Sequence, residues 1–434
     1  MEKSKKKDIT EKTKKKKRRT NLVKNKPPHL DDIYSCLQCG YCASVCPVYR
    51  ETGWESLTPR GKVYLLKNLI AKDSLMDKVL GKKITDILTG RGKISLEEAM
   101  EKIFTCTLCS RCETICHVDI DFHKCWEDIR KWLVENGIQP PDNTITMYEN
   151  IANEEYKNPF MEPIPKRDEW YRDEFQLPEK ADIIYFIGCM TSYHEYQVLL
   201  NTLKVLTASG ADFTTLGTDE TCCGAINTMT GQWDNFKTIA ENNINQVRKR
   251  GATQIITGCP ACYRAFKKYR EFVNYDFRLL HTTEFVAELI EAGKLKFTNE
   301  FKEKNLPIVY HDPCELGRIS DYEGKGIFEA PRFILRNIPG IDKILEYSCN
   351  RMDSECCGGG GGLKAVNYDL TMDIAIRKID EAIKLGAKTI VSACPNCKAE
   401  LSDAVKVKKE QLKNSEEKFK MKVMDVMDIV AKSL

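Results

Sequence analysis

The chain has 434 residues, 42% of them hydrophobic and 30% charged, which is enough for two to four domains with buried cores. No run reaches the roughly 18 apolar residues that a membrane span requires. The net charge of +4 hides a division: residues 1–28 hold 13 Lys/Arg against Glu2, Asp8 and Glu11, whereas residues 29–434 hold 54 basic and 60 acidic side chains. A mildly acidic body with scattered aromatics and no recognition motif excludes nucleic-acid binding as an expectation. The chain reads as cytoplasmic, touching a membrane only through a partner subunit.

In chain order, residues 1–28 are expected to be a disordered basic tail, since a polar, self-repelling segment ending in Pro27-Pro28 cannot bury a core. Residues 29–135 carry two copies of one cysteine spacing, Cys36-x2-Cys39-x2-Cys42-x3-Cys46-Pro47 and Cys106-x2-Cys109-x2-Cys112-x3-Cys116. Thr58-Pro59 gives an N-cap and first-turn pair before Val63, Leu65, Leu66, Leu69 and Ile70, so helices should join the quartets. Residues 136–180, with Pro140-Pro141, Asn158-Pro159, Pro163, Pro165 and Pro178, read as a linker wrapping over its neighbours.

An internal repeat follows, as units 181–300 and 301–434. In the first, the apolar strand Ile183–Ile187 delivers Cys189, a helix spans about 196–209, and a short strand lies near Phe213. The turn Cys222-Cys223-Gly224 precedes a helix at about 232–249, and strand Gln254–Thr257 delivers Cys259-Pro260-x-Cys262. The second repeats the order: Ile308–Tyr310 before Cys314, helix 331–337, strand Lys343–Tyr347, Cys356-Cys357-Gly358, helix 367–385, and Thr389–Ser392 before Cys394-Pro395-x-Cys397. Alternating strands and helices predict two similar α/β units whose cysteines sit at strand ends, facing a shared boundary. The fold class is thus multidomain, a helical two-cluster unit followed by two α/β cysteine-rich units.

Eighteen of the 20 cysteines fall in these groups. Disulfide frameworks belong to short secreted chains, and zinc sites close with four ligands and have no use for a third x2 step. The quartets instead match the spacing by which bacterial-type ferredoxins hold two [4Fe-4S] cubanes, with the fourth cysteine crossing to the other cluster. Cys36, Cys39, Cys42 and Cys116 are therefore expected to hold one cubane, and Cys106, Cys109, Cys112 and Cys46 the other. His117 stands where the first quartet has Pro47, a place from which a ring nitrogen can donate toward sulfur. Each longer array offers five thiolates, one more than a cubane needs, which points to an unusual cluster or a spare ligand. The run Gly358–Gly362 is expected to let backbone N–H groups approach cluster sulfurs. Cys125 and Cys349 read as buried small hydrophobes. His311, in His311-Asp312-Pro313-Cys314, is a candidate catalytic proton donor to a thiolate product.

The array pattern Cys, Cys-Cys-Gly, Cys-Pro-x-Cys, found twice, resembles the catalytic B subunit of heterodisulfide reductase, and the leading quartets resemble its C subunit. A chain with both in this order resembles the membrane-linked D subunit. Thr257-Gly258-Cys259-Pro260-Ala261-Cys262-Tyr263 and His281-Thr282-Thr283-Glu284-Phe285 strengthen the likeness, which spans residues 30–434. The resemblance implies two cubanes, two noncubane [4Fe-4S] clusters in the arrays, and cleavage of a disulfide between them. Electrons would arrive from a redox partner, a b-type cytochrome or a flavoprotein. It also implies Lys/Arg near the clusters for an anionic substrate, with Arg264, Arg318 and Lys398 near in sequence. The same plan serves iron-sulfur subunits of glycolate, lactate and glycerol-3-phosphate oxidising complexes, so an electron-transfer subunit of a flavin-dependent dehydrogenase is the alternative. Removing residues 1–26 is expected to leave iron content and reduction by a soluble donor unchanged; loss of iron on truncation would give the tail a structural role.

Overall fold

The computed structural model describes residues 26–70, 95–320, 326–412 and 420–434. Most of the basic tail lies outside the described residues.

The N-terminal unit is helical. Pro59–Ile70 begins where expected, with Thr58 Oγ1 accepting from Gly61 N at 3.0 Å, and it packs on helix Leu96–Phe104, which packs in turn on Phe122–Glu135. Val63, Leu66, Ile103, Phe104, Trp126 and Ile129 form its core. With Met100, Phe122 and Leu133, which lie three or four residues from these, they put one face of each helix inward.

Two parallel four-stranded sheets follow. The first has strands β1 (Ile183–Phe186), β2 (Phe213–Thr214), β3 (Gln254–Thr257) and β4 (Arg278–His281) in the order β2-β1-β3-β4; the second has β5 (Ile308–His311), β6 (Ile344–Glu346), β7 (Thr389–Ser392) and β8 (Lys422–Asp425) in the order β6-β5-β7-β8. Strands β1, β5 and β7 are buried along their whole length, as parallel strands covered on both faces must be, and their β-branched runs made them legible in the sequence. The edge strands β4 and β8 were not expected. Each is four residues whose first half is exposed or half-buried, leaving too little apolar signal. The expected helix 367–385 is present as Tyr368–Lys384, with Asn367 as its N-cap accepting from Leu370 N at 3.0 Å, and a separate short helix, Leu363–Val366, precedes it.

Each sheet reverses its winding between its two central strands, β1 and β3 or β5 and β7, and open α/β sheets bind ligands at the carboxyl ends beside such a point. The two units share one core. Helix Tyr196–Ala208 packs on Val426–Ser433, and Thr282–Glu291 on Glu329–Arg336, a reciprocal arrangement expected of a pseudo-two-fold axis. Leu199, Leu203, Leu289, Ile334, Leu335 and Ile429 fill this interface, each contributing about 2 kcal/mol relative to exposure. Asn201 donates across it to Asp428 at 2.8 Å.

Residues 136–180 are more than a connector. They include helix Asp142–Ala152 and the turn Ile164–Arg167, which sets Arg167 fully inside the first α/β unit. The division into 29–135, 136–180, 181–300 and 301–434 is our proposed one.

Arg130, fully buried on helix Phe122–Glu135, ties the units together. Its guanidinium donates to Ile103, Phe104 and Cys106 carbonyls in the helical unit, to Met229 in the first α/β unit (2.6 Å) and to Gly361 in the second (2.7 Å). Burial lowers its pKa to about 10, so it stays charged at neutral pH. Arg130→Ala leaves these carbonyls without their donor, at about 1–3 kcal/mol for each buried group stranded. Chemical unfolding should show a loss of at least about 3 kcal/mol; an unchanged midpoint would mean water replaces the guanidinium without cost.

Candidate functional site

The helical unit brings its eight cysteines together in two sets. Cys36, Cys39, Cys42 and Cys116 line one small cavity, with His117 and Arg60 on its wall. Cys46, Cys106, Cys109 and Cys112 line another, with Lys62 beside them. Each set therefore joins three cysteines of one quartet to the fourth of the other. Burial holds Cys42 up at about 11, and holds Cys46 at about 11 against the pull of the Lys62 cation. Thiols this reluctant to ionise become thiolates when a metal binds them, so four-thiol cages of this kind fit iron-sulfur clusters. Cys39 and His117 are exposed, which turns the first set toward solvent. His117 makes an edge contact with Tyr41 at 4.9 Å.

In the α/β units, Cys189 and Cys314 begin just past β1 and β5, and Cys259 and Cys394 just past β3 and β7, the latter pair each followed by Pro at the first turn of a helix. Both Cys-Cys-Gly turns use one device. Gly224 (φ 74°) donates its N–H to Cys222 Sγ at 3.4 Å, and Gly358 (φ 102°) to Cys356 Sγ at 3.3 Å. A Cβ at Gly358 would lie 2.5 Å from Thr371 O, so only glycine meets both demands. All ten array cysteines line one cavity of about 340 Å³. Met147, Phe160, Met190, Ile226 and Met229 supply apolar wall, and Glu315, Asn396 and Lys364 the polar groups. The arrays approach closely: Asn396 of the second reaches Cys259 Sγ of the first at 3.6 Å.

Within each array the thiols share protons. Hydrogen bonds from Cys222 and Cys262 lower Cys223 to about 6, and those from Cys356 and Cys397 lower Cys357 to about 5. Cys189 and Cys314 move well up, each through a hydrogen bond with its neighbour Cys222 or Cys356. Arg167 answers this at Cys189, donating to Sγ at 3.5 Å while paired at 2.6 Å with buried Glu220, which also accepts from Ile187 N and Gly188 N at 2.8 Å. Five buried, mutually hydrogen-bonded thiols with a cation alongside fit a metal-sulfur group better than a neutral core.

The second quartet lies against the second array. Cys109 packs with Cys314 and Cys356, and Arg318 donates to Cys109 O at 2.6 and 2.9 Å while binding Met352 and Ser354 carbonyls. The glycine run has a role besides the expected one. Gly358 N does reach a sulfur, but a Cβ at Gly360 or Gly361 would lie 2.5 Å from Thr107 O or Cys106 O, so these glycines let the second array close onto the second quartet.

His311 is buried at the end of β5, its Nε2 without a hydrogen-bond partner, in a group with Cys357 and Cys397 whose ligand atoms lie within 4.8 Å of one another. Burial, assisted by the Lys378 cation, lowers it to about 3, leaving a neutral ring. It is not among the residues lining the cavity. Arg264, Arg318 and Lys398, suggested for anion binding, are engaged elsewhere: Arg264 with Glu127 and Glu315, Arg318 with carbonyls, Lys398 with Glu195 and Asp428. Lys364 is the lysine on the cavity wall among the described residues, bound to Glu400 at 2.8 Å and Asp403 at 3.0 Å. Cys125 is buried as expected, whereas Cys349 is half-buried and accepts from Arg111 at 3.0 Å. Arg130, Arg167, Glu220 and Asn396 carried no local motif and were missed.

This combination defines an iron-sulfur oxidoreductase with a dicluster unit and two cysteine-rich units. The 4Fe-4S dicluster domain family matches residues 32–120, and the CCG cysteine-rich domain family matches 183–267 and 308–402. The chain is 34% identical over 415 residues to the D subunit of the dihydromethanophenazine:CoB–CoM heterodisulfide reductase of Methanosarcina barkeri, covering 93% of this chain and 95% of that one. It is 33% identical to its Methanosarcina mazei counterpart, with the same coverage. A probable iron-sulfur-binding oxidoreductase of Bacillus subtilis is 26% identical over 98% of this chain and 63% of its own length. The chain belongs to the family of heterodisulfide reductase D subunits. The two Methanosarcina relatives are subunits of a reductase, which implies redox partner subunits.

The crossed cysteine sets give a direct test. Cys46→Ser should perturb the cluster held with Cys106, Cys109 and Cys112, and Cys116→Ser the one held with Cys36, Cys39 and Cys42. EPR of the reduced variants decides this; a change confined to the mutated residue's own quartet would reject the crossing.

Proposed function

We propose that the protein is the disulfide-cleaving subunit of a heterodisulfide reductase-type complex. The observation that carries this reading is that ten cysteines from both arrays line one cavity. Two crossed quartets would hold two [4Fe-4S] cubanes, and Cys189, Cys222, Cys223, Cys259 and Cys262, with Cys314, Cys356, Cys357, Cys394 and Cys397, would hold two further noncubane [4Fe-4S] clusters. When bound, such clusters supply one-electron storage and iron with affinity for sulfur.

The reaction is R–S–S–R′ + 2e⁻ + 2H⁺ → RSH + R′SH. The chain's own residues supply the rest. The apolar wall excludes water around the disulfide, and the duplicated arrays present one sulfur-binding side to each sulfur atom. Cys109 beside Cys314 and Cys356 makes the second array the side that receives electrons from the quartets. Exposed Cys39 makes the first quartet the place where a partner, a membrane cytochrome or a flavoprotein, delivers them. Among the described residues no helix is long and apolar enough to cross a membrane; a cytoplasmic location with membrane contact through a partner is part of the proposal. The electron-relay alternative, passing electrons between a flavoprotein and a quinone, draws on a 26% identical relative, the EtfAB:quinone oxidoreductase of Syntrophomonas wolfei. This chain covers 58% of that protein, and the relay reading leaves the ten-cysteine cavity without a substrate.

Anaerobically purified protein should contain about sixteen iron atoms per chain. Adding substrate thiols to the oxidised protein should produce a new paramagnetic species, and Cys223→Ser and Cys357→Ser should each abolish disulfide reduction while both cubanes remain reducible. About eight iron atoms, or no thiol-dependent signal together with normal electron flow from an added flavoprotein, would favour the relay.

A further inference from the structure

The two α/β units match strand for strand in their pairing, so equivalent positions can be read from the register. Phe186 ends β1 opposite Thr257 of β3, and His311 ends β5 opposite Ser392 of β7. Each stands three residues before the first cysteine of its array. Around the first array this position is apolar, with Phe186 packed edge-on against Phe266 at 4.8 Å. Around the second it carries an imidazole, edge-on to Tyr347 at 6.1 Å, whose buried Nε2 has no hydrogen-bond partner. The ligand atoms of His311, Cys357 and Cys397 lie within 4.8 Å of one another. An unpartnered polar nitrogen at full burial is costly, and the polar side chains grouped with this ring are Cys357 and Cys397.

We propose that His311 donates an Nε2–H hydrogen bond to the Cys357–Cys397 thiolates and thereby raises the reduction potential of the cluster held by the second array. The inference rests on the proposed reading that the arrays hold clusters. Donation to sulfur withdraws electron density and stabilises the more negative, reduced form. The role is that of a positioning donor and not of a ligand, because Phe186 shows that the fold provides for a five-cysteine array without a nitrogen. It is also not proton delivery to substrate. Cys357 and Cys397 line the cavity and His311 does not. Each array has a cation by its first cysteine, Arg167 donating to Cys189 Sγ and Arg318 acting on Cys314 through its charge, and the imidazole is a difference between the two sites at a matched position of the strand register. It falls on the array that touches the second quartet through Cys109. An electron entering from the quartets is thus held at the array it meets first.

The test is a mediated redox titration of purified full-length protein, followed by EPR, with iron counted on the same samples. The second array's signal is the one lost in Cys357→Ser. His311→Phe, which copies the first array, should keep its iron and lower the second array's midpoint. The expected change is about tenfold in the reduced-to-oxidised ratio at fixed potential, or about 59 mV for one electron. His311→Gln, which retains an N–H donor, should recover part of the shift. Phe186→His should raise the first array's midpoint, an independent check should His311→Phe fail to fold. Full iron with an unmoved midpoint in both exchanges overturns the proposal. Loss of about four iron atoms in His311→Phe, with nitrogen hyperfine coupling in the wild type, makes His311 a ligand and overturns it also. Wild-type protein with only about eight iron atoms takes it down together with the reading on which it rests.

Discussion

A single buried cation, bound by backbone carbonyls, holds the assembly in register. Arg130 spends its donors on five such carbonyls from the helical unit and both α/β units. Two of these, Ile103 and Phe104, belong to the last turn of helix Leu96–Phe104, and Met229 ends helix Ala225–Met229. Carbonyls at helix ends have no intrahelical partner and carry the negative end of the dipole. A guanidinium with fixed fork geometry meets several at once. The consequence is positional: Cys106, one quartet ligand candidate, and Gly361, beside the second array, are bound by the same side chain.

Closure at this point demands small residues on the other side. Gly231 packs against the backbone at Arg130, where a Cβ would lie 2.5 Å from the Arg130 carbonyl carbon, and Gly360 and Gly361 pack against Thr107 and Cys106. Electron transfer between sites depends on their separation, so glycines that look like turn residues in the sequence also set how near the second quartet comes to the second array. The first array has different neighbours. They are Arg167 and Glu220, with Arg167 supplied by the segment that joins the helical unit to the sheets.

Duplication built the two α/β units alike, and their differences fall at the site. His311 replaces Phe186, Pro313 replaces Gly188, and Asn396 replaces Ala261, the last reaching across to Cys259. Gly188 has φ 79° and a Cβ there would stand 3.0 Å from Cys262 Sγ, whereas Pro313 holds its loop by ring closure. Shared strand order fixes two facing arrays, and these substitutions make them unequal.

The sequence by itself determined the cysteine groups, the order of the units and the central strands, because each depends on neighbours a few residues apart. Ligand spacing is set by the reach of a short loop, and the runs Ile183–Phe186 and Thr389–Ser392 declare burial on both faces. The family resemblance was legible for the same reason. The sequence also placed both arrays at a shared boundary; tertiary structure decided that they close into one cavity with a largely apolar wall, that Cys109 lies on Cys356, and that Arg264, Arg318 and Lys398 are bound internally. Arg130 meets Gly361 across 231 positions of chain, and no periodicity links such residues. Their meeting follows from how whole helices and sheets pack, where a single arginine or glycine has the right shape for a place that the local sequence does not describe.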